Sequence, residues 1–234
     1  MKNVKRMIVI VLAVSLIAFG FVYWFKLAPA GPLPDDKAAA QEINGLLNKT
    51  GTGEGLQVKT ILDTVQADDR HAFIPFETEA GARGFSLWVW KDHQWKASSA
   101  TTDGDPVIWK VRPGYPSSYR MVWSLDPAEK VDRLAFYLIQ KRSFQNEAYQ
   151  PRIQMEKVLP FAEHPYGAIK VPEEWRTIIR GEVTEFEVPR VEFGWRSLDS
   201  SGEDVFIEGQ GQSSYLRYQD HQDLMMPLEK NELE

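Results

Sequence analysis

One uncharged apolar segment near the N-terminus constrains this chain more than any other feature. From Met7 to Phe25 there are nineteen residues without a charge or a proline. A helix of that length is about 28 Å long, which is close to the thickness of the hydrocarbon core of a bilayer. The sequence therefore predicts a transmembrane helix over residues 7–25 and makes a membrane the first expected partner.

The charges beside this segment predict its orientation. Lys2, Lys5 and Arg6 precede it, whereas only Lys26 follows closely. Because excess positive charge stays on the cytoplasmic side, residues 1–6 should form a short cytoplasmic stub. We expect a single-pass signal anchor in the cell membrane, with the bulk of the chain on the extracytoplasmic side.

A cleaved signal peptide is the alternative interpretation of the same segment. Ala28-Pro29-Ala30 supplies small residues at the two positions that a signal peptidase reads. Against cleavage, the apolar run is longer than the apolar part of an ordinary signal peptide, and bulky aromatic residues and Lys26 stand just before the site. We therefore favour an uncleaved anchor.

Composition narrows the class of the exported part. The chain has no cysteine, which removes disulfides and thiolate metal sites together and favours a bacterial envelope protein. Residues 1–26 hold four of the 27 basic residues and no acid, so 23 basic residues face 33 acidic ones outside, a net charge of about −10. An acidic domain is not expected to bind nucleic acid.

Local composition divides the chain after the apolar segment. Residues 26–55 comprise a proline-rich spacer, a short helix from Lys37 to Asn48 and a glycine-rich loop. Residues 56–227 form the expected extracytoplasmic β-rich domain, and residues 228–234 an acidic, exposed C-terminal tail.

Apolar residues in the long central part recur mainly with period two, which is typical of strands. The predicted strands are Phe85–Trp90, Val107–Val111, Tyr119–Leu125, Leu134–Gln140, Ile153–Leu159, Val183–Val188, Val191–Trp195, Val205–Ile207 and Tyr215–Tyr218. A further helix is expected from Val171 to Ile179, and Pro75 should lie on an edge strand or at a bulge. The predicted fold is mostly β, an antiparallel sandwich or curled sheet with one or two short helices.

The sequence offers no pattern from which to predict a catalytic residue, a metal ligand or a cofactor. Each of the four histidines has an acid nearby, but adjacent strand residues point to opposite faces. The segment from Asp199 to Asp204 would suit either a calcium loop or a solvated hairpin turn, and we favour the turn. No nucleophile elbow, phosphate loop or dinucleotide fingerprint is present in the sequence.

Tryptophan gives the positive signal for binding. Trp88 and Trp90 share one strand face, and Phe85, Leu87 and Val89 occupy the other. If the second face makes the core, the two tryptophans line a recognition surface, for example a stacking platform for sugar rings. The competing interpretation is a central strand that is buried on both faces.

These observations favour a non-catalytic function. We expect a membrane-anchored extracytoplasmic binding or accessory module that acts on an envelope protein or a cell-wall glycan. The alternative is an envelope hydrolase that cleaves glycans with a pair of carboxylates, since such enzymes need only two acids placed by the fold.

Overall fold

The computed structural model describes residues 2–24, 28–49, 56–127, 131–141, 152–181, 190–205, 221–230 and 233. The helices are α1 (Lys2–Val22), α2 (Asp36–Lys49) and α3 (Glu173–Gly181). The strands are β1 (Val58–Ile61), β2 (Val65–Asp68), β3 (His71–Thr78), β4 (Arg83–Lys91), β5 (Gln94–Thr101), β6 (Val107–Trp109), β7 (Arg120–Ser124), β8 (Arg133–Lys141), β9 (Arg152–Pro160), β10 (Tyr166–Lys170), β11 (Arg190–Leu198), β12 (Gln222–Leu224) and β13 (Met226–Pro227).

Helix α1 carries large apolar side chains that are exposed all around its axis. Their exposed fractions run from 52% at Ile8 to 73% at Ile17. In the part of the chain that the structure describes, no helix combines the length and the apolar character that crossing a membrane requires. The predicted helix is therefore present, but the structure does not support its prediction as a transmembrane span.

The first sheet, called sheet A here, is covered by helix α2. Its strand order is β1-β3-β4-β5, with β2 also paired to β3, and all of these pairings are antiparallel. Ala39, Ile43 and Leu47 of α2 pack with Ala72, Ile74, Phe76 and Trp88 of the sheet. Helix α2 is thus part of a core, although the sequence places the start of the folded domain near Leu56.

The second sheet, sheet B, is the middle layer and is buried on both faces. Its order is β10-β7-β6-β12. Alternate residues of β6 and β7 point in opposite directions: Val107 and Val122 pack with Phe85 and Leu87 of sheet A. Ile108, Met121 and Trp123 pack instead with β8 of the next layer. This accounts for the nearly continuous apolar sequence of these two strands.

The third sheet, sheet C, closes the stack. Its order is β13-β11-β8-β9, with β13 parallel to β11 and the other pairings antiparallel. Its inner face, which includes Leu134, Phe136 and Leu138, packs with sheet B and with Trp175 of α3. Leu228 and Leu233 pack on the outer face with Ala135, Tyr137 and Ile139. The predicted exposed tail therefore contributes at least two side chains to packing.

The mostly β, antiparallel fold with few short helices is confirmed, and it takes the form of three stacked sheets. Pro75 lies in β3, which has neighbours on both sides, rather than on an edge strand. It lies opposite the break between β1 and β2, where Leu62 donates to the Pro75 carbonyl, so its missing N–H interrupts no pairing there. The strands predicted at Val183–Val188 and Tyr215–Tyr218, and most of Val205–Ile207, lie outside the described residues.

Candidate functional site

Trp88, the first of the two predicted binding residues, lies in the core under helix α2. Only 1% of its surface is exposed, and its indole Nε1 donates a 2.8 Å hydrogen bond to the Ser86 hydroxyl. Phe85 and Leu87 are buried against sheet B on the other face. Strand β4 is therefore central and buried on both faces, and Trp88 has no open face for a ligand.

Trp90, the second predicted binding residue, is half-buried and is covered by the chain's own proline-rich spacer. Its ring lies 5.7 Å from that of Trp95, and Trp95 Nε1 donates to the Gly31 carbonyl at 3.0 Å. A Cβ added at Gly31 would lie 2.8 Å from the Trp90 ring, so any larger residue there would require the ring to shift. The pair Trp90 and Trp95 thus binds residues of this chain.

Two further contacts join the same end of sheet A to the end of α1. Arg70 Nη2 donates to the Ala28 carbonyl at 2.6 Å, and the Trp24 and His93 rings lie 5.0 Å apart. We call the contacts of Arg70, Trp90, His93 and Trp95 with Trp24, Ala28 and Gly31 the spacer latch. The predicted proline-rich spacer is therefore docked on the β domain at Ala28 and Gly31.

An ion-pair cluster lies beside the latch, between sheets A and B. His71 Nδ1 lies 2.7 Å from Asp68 Oδ1, and Arg112 Nη2 lies 3.3 Å from Asp68 Oδ2. Burial raises the pKa of Asp68, but hydrogen bonds from the Arg70 N–H and His71, with the charges of His71 and Arg112, outweigh it, so the pKa falls below 3.8. Arg120, buried nearby, donates to the Ala67 carbonyl at 2.7 Å. The cluster ties the two sheets together.

The remaining candidate residues serve local structure. The backbone carbonyls of His164 and His221 accept bonds from Trp123 Nε1 and the Lys110 N–H. Asp199 Oδ1 accepts from the Ser201 N–H and hydroxyl and from the Glu203 N–H, the bonding of a closed turn. Among the described residues, no group of three or more acids and histidines has the placement to hold a metal ion.

The outer face of sheet C carries a polar chain that sequence reasoning missed. Tyr137 donates to Glu156 Oε1 at 2.5 Å, and Arg196 Nε donates to Asp204 Oδ1 at 2.6 Å. Burial, followed by the hydrogen bond to Glu156, raises the pKa of Tyr137 to about 12, and the Asp204 carboxylate raises the pKa of Arg196. Only 8% of the Arg196 side chain is exposed.

A cavity of about 350 Å³ lies next to these polar side chains, beneath residues 227–229. It is lined by Arg196, Ser197, Asp204, Val205, Pro227, Leu228 and Glu229. Arg196 Nη2 is buried and has no hydrogen-bond partner among the described residues, and the same holds for Trp195 Nε1 and Gln140 Oε1 of sheet C. Buried polar atoms normally have partners, so each of these three atoms is expected to have one outside the described residues.

Two carboxyl groups, those of Asp103 after β5 and Asp126 after β7, have a raised pKa. Burial raises the pKa of Asp103 against a hydrogen bond from the Asp105 N–H, and burial also raises that of Asp126 against the nearby Arg83. Their loops meet where the Ser124 N–H donates to the Gly104 carbonyl at 2.8 Å. A raised pKa is what a general acid needs at neutral pH.

The sequence could not have singled out Arg196, because it occupies an ordinary polar position beside a predicted strand. Its significance arises from partners on β8 and in the segment after β11, which only the fold brings together.

Comparison with protein-family models, curated proteins and solved structures finds no match for this chain.

Proposed function

We propose that the protein is a membrane-anchored, extracytoplasmic binding or accessory module that does not catalyse a reaction itself. Its targets would be an envelope protein or a cell-wall glycan. The observation that carries the proposal is the exposure of apolar side chains on every side of α1, next to a β module with its own core. A helix that is apolar all round belongs inside a large protein or in a bilayer.

The attachment has a direct test. The complete chain should remain in the membrane fraction after extraction at alkaline pH, because lipid would cover the apolar side chains of α1. A protein truncated before Ala28 retains the latch residues of sheet A and the spacer, and should be soluble and folded. Recovery of the complete chain as a soluble monomer would contradict the attachment.

The face proposed to meet the target is the outer face of sheet C. Arg196, whose Nη2 has no hydrogen-bond partner among the described residues, lines the cavity on this face and supplies a donor there. Arg196→Met should weaken capture of the target by the intact anchored protein. The matched control is Lys230→Gln, which removes one positive charge from an exposed ion pair with Glu203 on the last described segment. Equal capture by both variants and the unchanged protein would argue against this face.

A glycan hydrolase remains a second candidate because Asp103 and Asp126 both have a raised pKa and their loops adjoin. The two proposals differ in what happens to isolated wall glycan. A binding module should retain the glycan without releasing reducing ends. Release of reducing ends that disappears in Asp103→Asn or Asp126→Asn would establish the hydrolase instead.

A further inference from the structure

The tip of the hairpin formed by β4 and β5 lies beside the end of α1. The hairpin tip comprises residues 91–94, and the Trp24 ring, two residues past α1, lies 5.0 Å from the His93 ring. If α1 enters the hydrocarbon core, Tyr23 and Trp24 come to the level of the head groups, where amphipathic rings are favoured. The hairpin tip must then lie at the same level.

The spacer latch keeps the tip in that place. The Ala28 N–H donates to the Tyr23 carbonyl at 2.8 Å, which joins the start of the spacer to the end of the helical segment. Arg70 then binds the Ala28 carbonyl, and Trp95 binds the Gly31 carbonyl. These attachments, at six and nine residues past Val22, hold the spacer on the β domain.

The chemistry of the tip fits the head-group region. Lys91, Asp92, His93 and Gln94 are exposed polar residues, and Tyr23 and Trp24 beside them are 49% and 59% exposed. Lys96 Nζ lies 3.2 Å from Asp92 Oδ2, so the local charge is nearly balanced. Such a surface offers donors to lipid phosphates and rings to the interface without requiring strongly anionic lipid.

We propose that the tip of the β4–β5 hairpin rests on the phosphate-bearing head groups of the membrane and that the spacer latch fixes the β domain at this contact. The proposal rests on the membrane attachment proposed above. It adds an orientation of the β domain. The β4–β5 hairpin end of sheet A faces the lipid, and the turn between β3 and β4, at the other end of β4, points away from it.

The absence of cysteine from the sequence makes a labelling experiment simple. Gln94→Cys places a fluorophore at the tip, and Ala80→Cys places the same fluorophore in the turn between β3 and β4, also exposed. The nine residues of β4 separate the two sites by about 27 Å. The complete chain is reconstituted in vesicles of phosphatidylcholine and phosphatidylglycerol that carry a head-group spin label.

The tip fluorophore should lose about half of its emission, while the fluorophore at position 80 should lose little, because only the tip is expected at the head groups. A second pair of substitutions tests the latch. Asp92 and His93 have φ angles of 54° and 61°, a turn that Asn-Gly favours. Asp92→Asn with His93→Gly should keep the hairpin, remove the ring contact with Trp24 and reduce quenching at position 94.

Three other outcomes would each contradict part of the proposal. If the protein floats with the vesicles but the two fluorophores are quenched equally, the orientation is refuted and the membrane attachment stands. If the protein does not float with the vesicles, the attachment and the orientation both fail. Unchanged quenching in the Asn-Gly variant would show that the Trp24 contact has no part in holding the tip.

Discussion

The two outer sheets of the β domain, sheet A and sheet C, differ in what covers their outer faces. Sheet A has α2 on one face and sheet B on the other, and its largest buried ring, Trp88, has both its packing and its hydrogen bond supplied by the chain. Sheet C is covered on its outer face by a short C-terminal segment beside a cavity of about 350 Å³. One buried polar atom of this outer face, Arg196 Nη2, has no partner among the described residues.

This difference bears on where stability arises and where the proposed recognition would take place. The aromatic residues of sheet A are used in core packing and in the spacer latch. They therefore stabilise the domain and connect it to the segment after α1. Sheet C retains a buried cation, Arg196, beside a cavity, and its ion pair with the partly exposed Asp204 is expected to contribute little to stability because desolvation offsets the attraction. The proposed membrane attachment therefore involves the sheet A end, and the proposed target binding involves the outer face of sheet C.

The largest effect is expected from removing α2. A truncated protein that begins at Leu56 exposes the apolar face formed by Ala72, Ile74, Phe76 and Trp88. Because burial of such side chains dominates folding, we expect aggregation or loss of the cooperative thermal transition. The control is a protein that begins at Ala28 and keeps α2. Equal melting temperatures for the two proteins would contradict the statement that sheet A needs α2 to bury its apolar face.

Trp88→Ala and Trp90→Ala form the next comparison. Trp88 is fully buried, so its loss should cost about 3 to 5 kcal/mol of unfolding free energy. Trp90 is only half-buried, against Gly31 and Trp95, so its loss should cost clearly less. Chemical denaturation measures both. A stable Trp88→Ala variant would contradict its place in the core, whereas loss of target capture in a stable Trp90→Ala variant would support the predicted binding role of Trp90.

Arg196→Met should change stability by less than about 1 kcal/mol in either direction, although only 8% of the side chain is exposed. The substitution removes a buried cation with an unused Nη2, and the Asp204 side chain that it leaves is 43% exposed and can be hydrated. Denaturant titration of this variant beside Trp88→Ala sharpens the contrast between the two sheets. A loss as large as that of Trp88→Ala would make Arg196 a structural residue.

Asp103→Asn is expected to give a small effect, a stabilisation of less than about 1 kcal/mol at pH 7. The pKa of Asp103 in the folded protein lies above 3.8, so the folded state holds its proton more firmly than the unfolded state. Stability therefore falls as the pH rises from 3.8 through the folded pKa, and asparagine removes this loss. The gain should vanish below pH 3.8, and a gain that persists there would refute the electrostatic cause.

Asp68 should behave in the opposite sense across the acid range. Its folded pKa lies below 3.8, so its contribution to stability is present above that value and is lost as the pH falls through the folded pKa. Comparing the unchanged protein with Asp68→Asn by thermal melting at pH 7 and at pH 2 measures this. The destabilisation by asparagine should be smaller at the lower pH, and a constant difference would contradict the ion-pair origin.

Local elements were predictable because their signals are local. Alternation in β4 assigned Phe85 and Leu87 to one face and Trp88 to the other, as the structure confirms, and the helices α2 and α3 have the expected starts and periodicity. The stacking of three sheets, the docking of α2 and the Tyr137–Arg196 chain were not predictable. They depend on which faces meet across the fold, and period two gives each strand two faces without saying what covers them.

Membrane topology is the property on which the proposed attachment and the proposed function both depend. Protease added to intact protoplasts should degrade the residues after about Lys26, including the C-terminal residues 228–234, while the first residues stay protected. This result follows if α1 holds the N-terminus inside and the β module faces outward. Protection of the C-terminal residues would contradict the account, and release of a soluble protein that begins at Gly31 would show that the apolar segment is a cleaved signal peptide.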